Sequence, residues 1–491
     1  MTRHPVHESL AVPRVRVSVL QTGEIERIDD LSLDILAETG IIVHYAPARD
    51  LLRRHGADVD HTRQLVRIPR MLVGQALATA PRSFTLYSQT NSNRDCLLGF
   101  GGGYYARPAS GLPWIVDARA KGRRPVTSSD SINWSRLAHA LPNIHVVSAA
   151  YDQEGSPKAM ELRSVATMLR YTDKPLMVSA VNGEGMRWIQ RLVDVVQPPD
   201  RQPRVMVLSS VNSPLIYGYG QCEAAMVSAE LGIPVAVNSS AVAGASAPVT
   251  LAGDLALMNA EMLAALTIIQ LHAPGAPVIY AGHPVIMDMR TTIASFGFAE
   301  IGLLAAACID IGRYYGLPTG SDGLTTDSCL PDANAALEKW ASGYLPFLAG
   351  ASISGGAGAL ASQGAISLEQ LVIDDDIFGR FFRQMHGIEL NDETLASRLI
   401  QQVGPAGTYL AEDHTRIHCR SEYYYSPVAN RLGAASWEAM GSPDAVDRAA
   451  ARVQSVLAQP AKWFVTEEQS RELERVLARA EEALADIEVP I

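Results

Sequence analysis

The rhythm of apolar and polar positions changes near residue 143. Downstream, short runs rich in Val and Ile alternate with long Ala- and Leu-rich segments. The runs are 144–149, 176–180, 205–209, 235–238, 278–281, 317–320 and 351–354. They recur roughly every 30–40 residues, as parallel strands with helical crossovers require. Successive positions are apolar rather than alternate ones, the mark of a sheet covered on both faces. Segments such as 255–271 and 333–345 read as the intervening helices. An eighth strand, in 364–373 or in the segment before Asn143, would close a barrel. The competing architecture is a doubly wound open sheet, which usually carries a GxGxxG loop after its first strand. Run 144–149 is followed instead by Tyr-Asp-Gln-Glu-Gly. The pattern therefore predicts an α/β fold, a TIM-type (β/α)8 barrel.

Upstream the character is mixed. Segments 25–39, 47–55 and 68–80 read as helices, and 83–88 and 96–100 alternate like strands. The stretch GFGGGYYARPASGLPWIVD (99–117) carries the Gly, Pro and aromatic marks of hairpins. The expected organisation is an N-terminal α+β cap region over 1–130, the barrel over 131–400, and a C-terminal helical extension over 401–491. From Trp463 onward that extension reads as a charged amphipathic helix.

Composition narrows the function. The chain has 491 residues, with 41 Lys+Arg against 52 Asp+Glu and a net charge of −11. An acidic chain without clustered Lys and Arg is a poor partner for nucleic acid. The basic stretch Lys121-Gly122-Arg123-Arg124 reads as a solvated turn. Charged residues are only 19%, and the Ala-rich helices point to a homo-oligomer. The apolar run at 301–309 is shorter than the ~20 residues a bilayer needs, so no membrane span is predicted. The first residues, MTRHPVHESLAVPR, lack an apolar signal core, and a cytoplasmic location is expected. Cys96, Cys222, Cys308, Cys329 and Cys419 are odd in number and form no CxxC pair. They fit a reducing compartment and exclude a zinc knuckle.

In a barrel the chemistry lies where strands end. The runs are followed by Tyr151-Asp152, by Asn182-Gly183-Glu184, by Ser210-Val211-Asn212, by Asn238-Ser239, by Tyr280-Ala281-Gly282-His283, by Ser321-Asp322, and by Gly355-Gly356. This rim is neutral. A metal hydrolase would gather several His and Asp there, and only His283 and Asp322 stand out. A Schiff-base enzyme would place a Lys there, and none is present. Asp322 could instead cap a short helix. Gly355-Gly356-Ala357-Gly358 could cradle a phosphate. His414 and His418, four apart, could share a helix face but lack a third ligand. Tyr104 and Tyr105 adjoin three glycines, Trp114 follows, and Tyr423-Tyr424-Tyr425 form a second cluster. Ring faces of this kind can hold a quaternary ammonium ion.

Six segments in order then resemble one family. They are GGGYYARPASGLPWIVDARAKGRRPVTSSD, VNSPLIYGYG, VNSSAVAGASAPVTLAGDLALMNAE, GSDGLTTDSCLPDANAALEKW, ISLEQLVIDDDI and HTRIHCRSEYYYSPVANR. From about residue 30 to 460 the chain resembles the trimethylamine methyltransferase family, which includes the glycine betaine:corrinoid methyltransferases. The resemblance implies a barrel enzyme that moves a methyl group from a quaternary or tertiary amine to the Co(I) centre of a corrinoid protein partner. It binds no metal directly, and the corrinoid (cobalamin) is carried by the partner. No catalytic acid or base is expected, because the leaving amine departs neutral. The substrate-binding residues implied are Tyr104, Tyr105, Trp114, Asn212, Asn238, Tyr280, His283, Asp322, Gly355 and Gly356. The founding members carry pyrrolysine where 320–327 here holds only standard residues, which places the chain with the non-pyrrolysine branch. Betaine-using relatives carry a histidine at the position of Gly355. Its absence implies vacated space for a bulkier or differently charged N-methyl donor. Two other classes stay open: a catalytically silent barrel that binds a small cationic metabolite, and a metal-dependent barrel lyase or hydrolase.

Overall fold

Eight parallel strands form one sheet in chain order. They are β1 (Tyr105–Pro108), β2 (Val147–Ser148), β3 (Leu176–Val178), β4 (Val205–Val211), β5 (Val235–Ser239), β6 (Val278–Gly282), β7 (Thr319–Ser321) and β8 (Ile353–Ala357). The computed structural model describes residues 15–118 and 122–485. Segment 1–14, Lys121 of the basic turn and 486–491 lie outside the described residues.

β8 pairs with β1 through Ile353 opposite Tyr105 and Ser354 opposite Ala106. The seam between β1 and β2 is joined by backbone bonds. His145 N–H donates to Ala106 O at 2.8 Å, and Gly111 N–H donates to Ala149 O at 2.9 Å. Each strand is followed by a helix: Ser128–Ala140, Met160–Tyr171, Gly183–Val196, Tyr219–Glu230, Leu251–His272, Ala299–Tyr314, Ala333–Ala349 and Leu368–His386. The fold is a (β/α)8 barrel. All seven strands read from the sequence are present. The eighth is β1, inside the stretch read as cap hairpins, so the first β/α unit straddles the expected boundary near residue 130.

Local chemistry sets the helix starts. Thr127 and Asp130 form a reciprocal capping box, and Asn182 Oδ1 accepts the Gly185 N–H. Helix Leu251–His272 is apolar on all sides because the cap region covers its outer face. Ser32 of helix Thr22–Asp34 donates to Ala256 O at 2.9 Å. This helix is the one, among the described residues, long and apolar enough to cross a membrane, and 89% of its apolar window is buried. It is longer than the run at 301–309 that the sequence reading singled out.

The lower, N-terminal end of the barrel is stoppered by the hairpin Ser83–Leu86 and Cys96–Gly99. Leu86, Cys96 and Leu98 pack there against Met177, Met206, Ile279 and Ile353 from inside the barrel. The terminal helix Glu467–Ala485 lies on the barrel's outer ring: Arg170 bonds Ser470, and Gln469 Nε2 donates to Val195 O.

Candidate active site

With the lower end stoppered, the open end of the barrel is the one at the strand C-termini. A small, partly open cavity of about 20 Å³ lies there. Its inner wall is apolar, with Met177, Met206, Leu208, Ile279 and Ile353. Toward the strand ends it turns polar, with Arg107, Asn238, His283, Ser321 and Asp322.

Strand alternation decides which side chains enter. On β6, Ile279 and Ala281 line the cavity. Tyr280 between them points outward, donates its hydroxyl to Asn259 Oδ1 at 2.8 Å, and packs on Tyr315. It joins barrel to helix and is not a site residue. On β1, Tyr105 and Arg107 face inward. Tyr105 sits low, packed with the stoppering hairpin, its hydroxyl accepting the Leu97 N–H. Tyr104 lies beneath the barrel against Phe347, with Arg16 donating to its hydroxyl. Trp114 is on the outer hairpin Trp114–Asp117, with Arg123 stacked 4.6 Å from its ring centre. The three rings therefore form no cage. Asn212 is exposed in the turn after β4, where its backbone exchanges bonds with Ile216.

Arg107, which sequence reading missed, reaches the centre of the mouth. Its Nη2 donates to Asp322 Oδ1 and its Nη1 to Pro108 O. His283 Nδ1 stands 3.2 Å from Asp322 Oδ2, and the His283 ring packs on Phe296. Asp322 thus joins two partners and caps no helix. A Cβ on Gly355 would stand 2.4 Å from Arg107 Cζ and 2.5 Å from Asp322 Oδ1. The space beside Gly355 is therefore filled by this pair, not vacated. The signal for Arg107 was its place two residues after Tyr105 on a strand, hidden by the surrounding Gly and Pro.

The charges have defined states. Burial acts to raise the Asp322 pKa, but the Arg107 charge and then His283 outweigh it and hold the carboxyl below its ordinary range. Burial lowers the His283 pKa, Asp322 opposes this, and Arg107 adds to the lowering. At neutral pH the cluster is Arg⁺, Asp⁻ and neutral His. With Nδ1–H donated to Asp322, His283 Nε2 carries the lone pair. That Nε2, Asn238 Oδ1 and Ser321 Oγ are buried without a hydrogen-bond partner. Three buried polar atoms without a protein partner thus line one cavity, which makes it the candidate site.

The frame behind the mouth is also ionic. Lys339 is fully buried and donates to Asp374 Oδ2 at 2.9 Å, to Leu324 O at 2.8 Å and to Gly356 O. Asp374 Oδ2 also accepts the Gly358 N–H. A carboxylate thus occupies the glycine-rich stretch, which forms no phosphate cradle. Gly356 has φ +88, and a Cβ there would meet the Leu324 backbone at 2.8 Å. It shapes the backbone rather than lining the cavity. His414 and His418 stack, and His418 Nε2 is 3.2 Å from Glu393. Among the described residues no three His, Cys, Asp or Glu side chains gather as a metal site.

Fold and mouth together define a (β/α)8-barrel enzyme with a small, charge-balanced pocket at its strand C-termini. The chain also matches the model of one family, trimethylamine methyltransferase (MTTB), over residues 4–485. It belongs to that family and is a methyltransferase. The glycine betaine methyltransferase of Desulfitobacterium hafniense (strain Y51) is 31% identical over 453 residues, covering 90% of this chain and 93% of the relative. The trimethylamine methyltransferase MttB of Methanosarcina barkeri is 31% identical over 488 residues, covering 96% and 97%. Among solved structures, the hydroxylamine MtmB complex superposes with a TM-score of 0.52 at 11% identity, covering 96% of this chain and 90% of that one. That likeness concerns the fold.

Proposed function

We propose that the enzyme moves a methyl group from a zwitterionic quaternary amine of the betaine type to the Co(I) centre of a corrinoid protein. The observation that carries this reading is the buried Arg107–Asp322–His283 cluster in an otherwise apolar mouth. Arg107 receives the anionic group of the donor through its planar set of N–H donors. The unmet Asn238 Oδ1 and His283 Nε2 turn electron-rich atoms toward the cationic head, the role that the sequence reading gave to aromatic rings. The apolar inner wall takes the methyl groups.

The chemistry asks little more of the protein. Attack of Co(I) on the N–CH3 carbon forms the Co–C bond and breaks the C–N bond. The electron pair stays on nitrogen, and the amine leaves neutral. No proton moves in that step, so orientation and exclusion of water are the protein's contribution. Asp322 stays ionised throughout and holds both Arg107 and His283 in place.

Self-association belongs to the same reading. Helices Ser397–Val403, Asp413–Glu422 and Ala434–Ala439 bury none of their side chains. Leu390, Leu410 and Ile417 stand exposed there, an apolar surface that a second copy of the chain would cover.

The test is methylation of free Co(I) cobalamin, followed by its absorbance. The expected result is turnover with zwitterionic betaines and little with choline or trimethylamine. Arg107→Gln should raise KM for the betaine at least tenfold. A panel of N-methylated amines that yields no methylcobalamin refutes the methyltransfer reading. Turnover of cationic amines alone refutes the zwitterion.

A further inference from the structure

A second, larger cavity lies outside the barrel, and nothing in the methyl-transfer reading uses it. It measures about 240 Å³. It sits between helices Met160–Tyr171, Gly183–Val196 and Glu467–Ala485, beside the end of β3. Leu162, Ile189, Leu484 and Ala180 give it apolar walls. Ligand pockets in proteins share this mostly apolar lining, with a few polar groups that fix orientation, and the space here suits a small ligand.

The polar group here is Glu161, which is about nine-tenths buried. Its Oε1 accepts the Ser179 N–H at 2.9 Å, and its Oε2 meets no donor. Several nearby charged groups have other partners. The Lys158 ammonium, at the cavity mouth, donates to Ala485 O. Arg163 pairs with Asp152 and Glu481, and Glu223 accepts the Gly183 N–H. Among the described residues no cation stands against Glu161. Burial accordingly pushes its pKa up to about 8, against a smaller lowering by the Ser179 N–H. A carboxyl kept in an apolar cavity with one oxygen unmet lacks its countercharge.

We infer that this cavity is a binding site for a small organic ammonium ion, whose nitrogen pairs with Glu161 and whose apolar body fills the space between the three helices. The inference is independent of what the barrel mouth binds. Because Glu161 is protonated when the site is empty, capture of a cation releases its proton to solvent.

Cyclohexylammonium is a suitable probe, with cyclohexanol as its uncharged counterpart, titrated calorimetrically into the full-length enzyme at pH 6.5 in two buffers of different ionisation enthalpy. The expected result is binding of the ammonium at least tenfold tighter than of the alcohol, with close to one proton released. E161Q keeps an acceptor for Ser179 N–H and should lose the ammonium binding at least tenfold. I189F, which fills the cavity, should lose it as well. D322N, altered only in the barrel mouth, should bind like wild type. Equal affinity for ammonium and alcohol overturns the inference. So does unchanged binding in both E161Q and I189F, or loss of the probe in D322N alone.

Discussion

Gly355 is where one missing atom decides the site. A Cβ there would press on both Arg107 and Asp322, the two members of a buried pair. Gly355→Ala should therefore part the pair and destabilise the fold by about 2–4 kcal/mol, since separating buried partners leaves charge unpaired. In an Arg107→Met background the same alanine meets no guanidinium and should cost far less. A thermodynamic cycle from urea denaturation checks this, with a coupling of at least 1 kcal/mol expected between the two positions. His283 gives a second prediction. Its pKa is held below the ordinary value of 6.5 by burial and Arg107. A lowered histidine stays neutral in the fold after the free side chain would have charged. The acid limb of kcat/KM should thus fall below pH 6.5, and His283→Gln should remove it.

Between elements, Lys339 ties helix Ala333–Ala349 to helix Leu368–His386 and to the loop that follows β7. Lys339→Met leaves Asp374 buried without its cation, so that burial pushes its pKa further up, and leaves Leu324 O and Gly356 O without a donor. A loss of about 3–5 kcal/mol is expected, read as a lower denaturation midpoint. Lys339→Met with Asp374→Asn should recover part of it, because the amide oxygen still accepts the Gly358 N–H. These elements also show what a sequence exposes. The strands β2–β8 were legible from their regular spacing and, for most, from short apolar runs buried on both faces, although β7 itself is Thr319-Gly320-Ser321. β1 was not, because Tyr105-Ala106-Arg107-Pro108 has one charged inward side chain and glycines on its N-terminal side, the pattern of a turn. His283 and Asp322 were legible as polar residues at strand ends. Tyr280 was misplaced because a continuous apolar strand carries no mark of which alternate positions face in. Tyr104 and Tyr105 were misplaced for a different reason: Tyr104 precedes β1 and Tyr105 opens it, so both lie at the stoppered end, and that end is known only once the strand is known.

At the scale of the whole molecule, buried ionisable groups should set an unusual pH dependence of stability. Burial pushes the pKa of Glu161 up to about 8 and those of Asp254 and Asp375 up to about 7. Asp254 adds repulsion from Glu261 to the burial. Such acids lose their protons in the unfolded chain near pH 4, but in the fold only near pH 7–8. Between those values the folded state holds more protons, so stability falls as pH rises, by up to about 1.4 kcal/mol per pH unit for each group. His139 and His283 act the other way. Burial depresses both, so the unfolded chain holds their protons longer and stability rises with pH up to about 6.5. Lys174, lowered to about 7 by burial, opposes the acids only above that pH. The three acids are therefore least opposed between about pH 6.5 and 7. Thermal denaturation should give its highest Tm near pH 4–5, a shallow decline to about pH 6.5 and the steepest decline between about pH 6.5 and 7. Glu161→Gln should flatten that decline by close to one proton's worth of slope and raise Tm most at pH 8. A Tm that climbs steadily from pH 6 to 8, in wild type and E161Q alike, would mean that these carboxyls are ionised in the fold. It would also remove the proton release expected when a cation enters the second cavity.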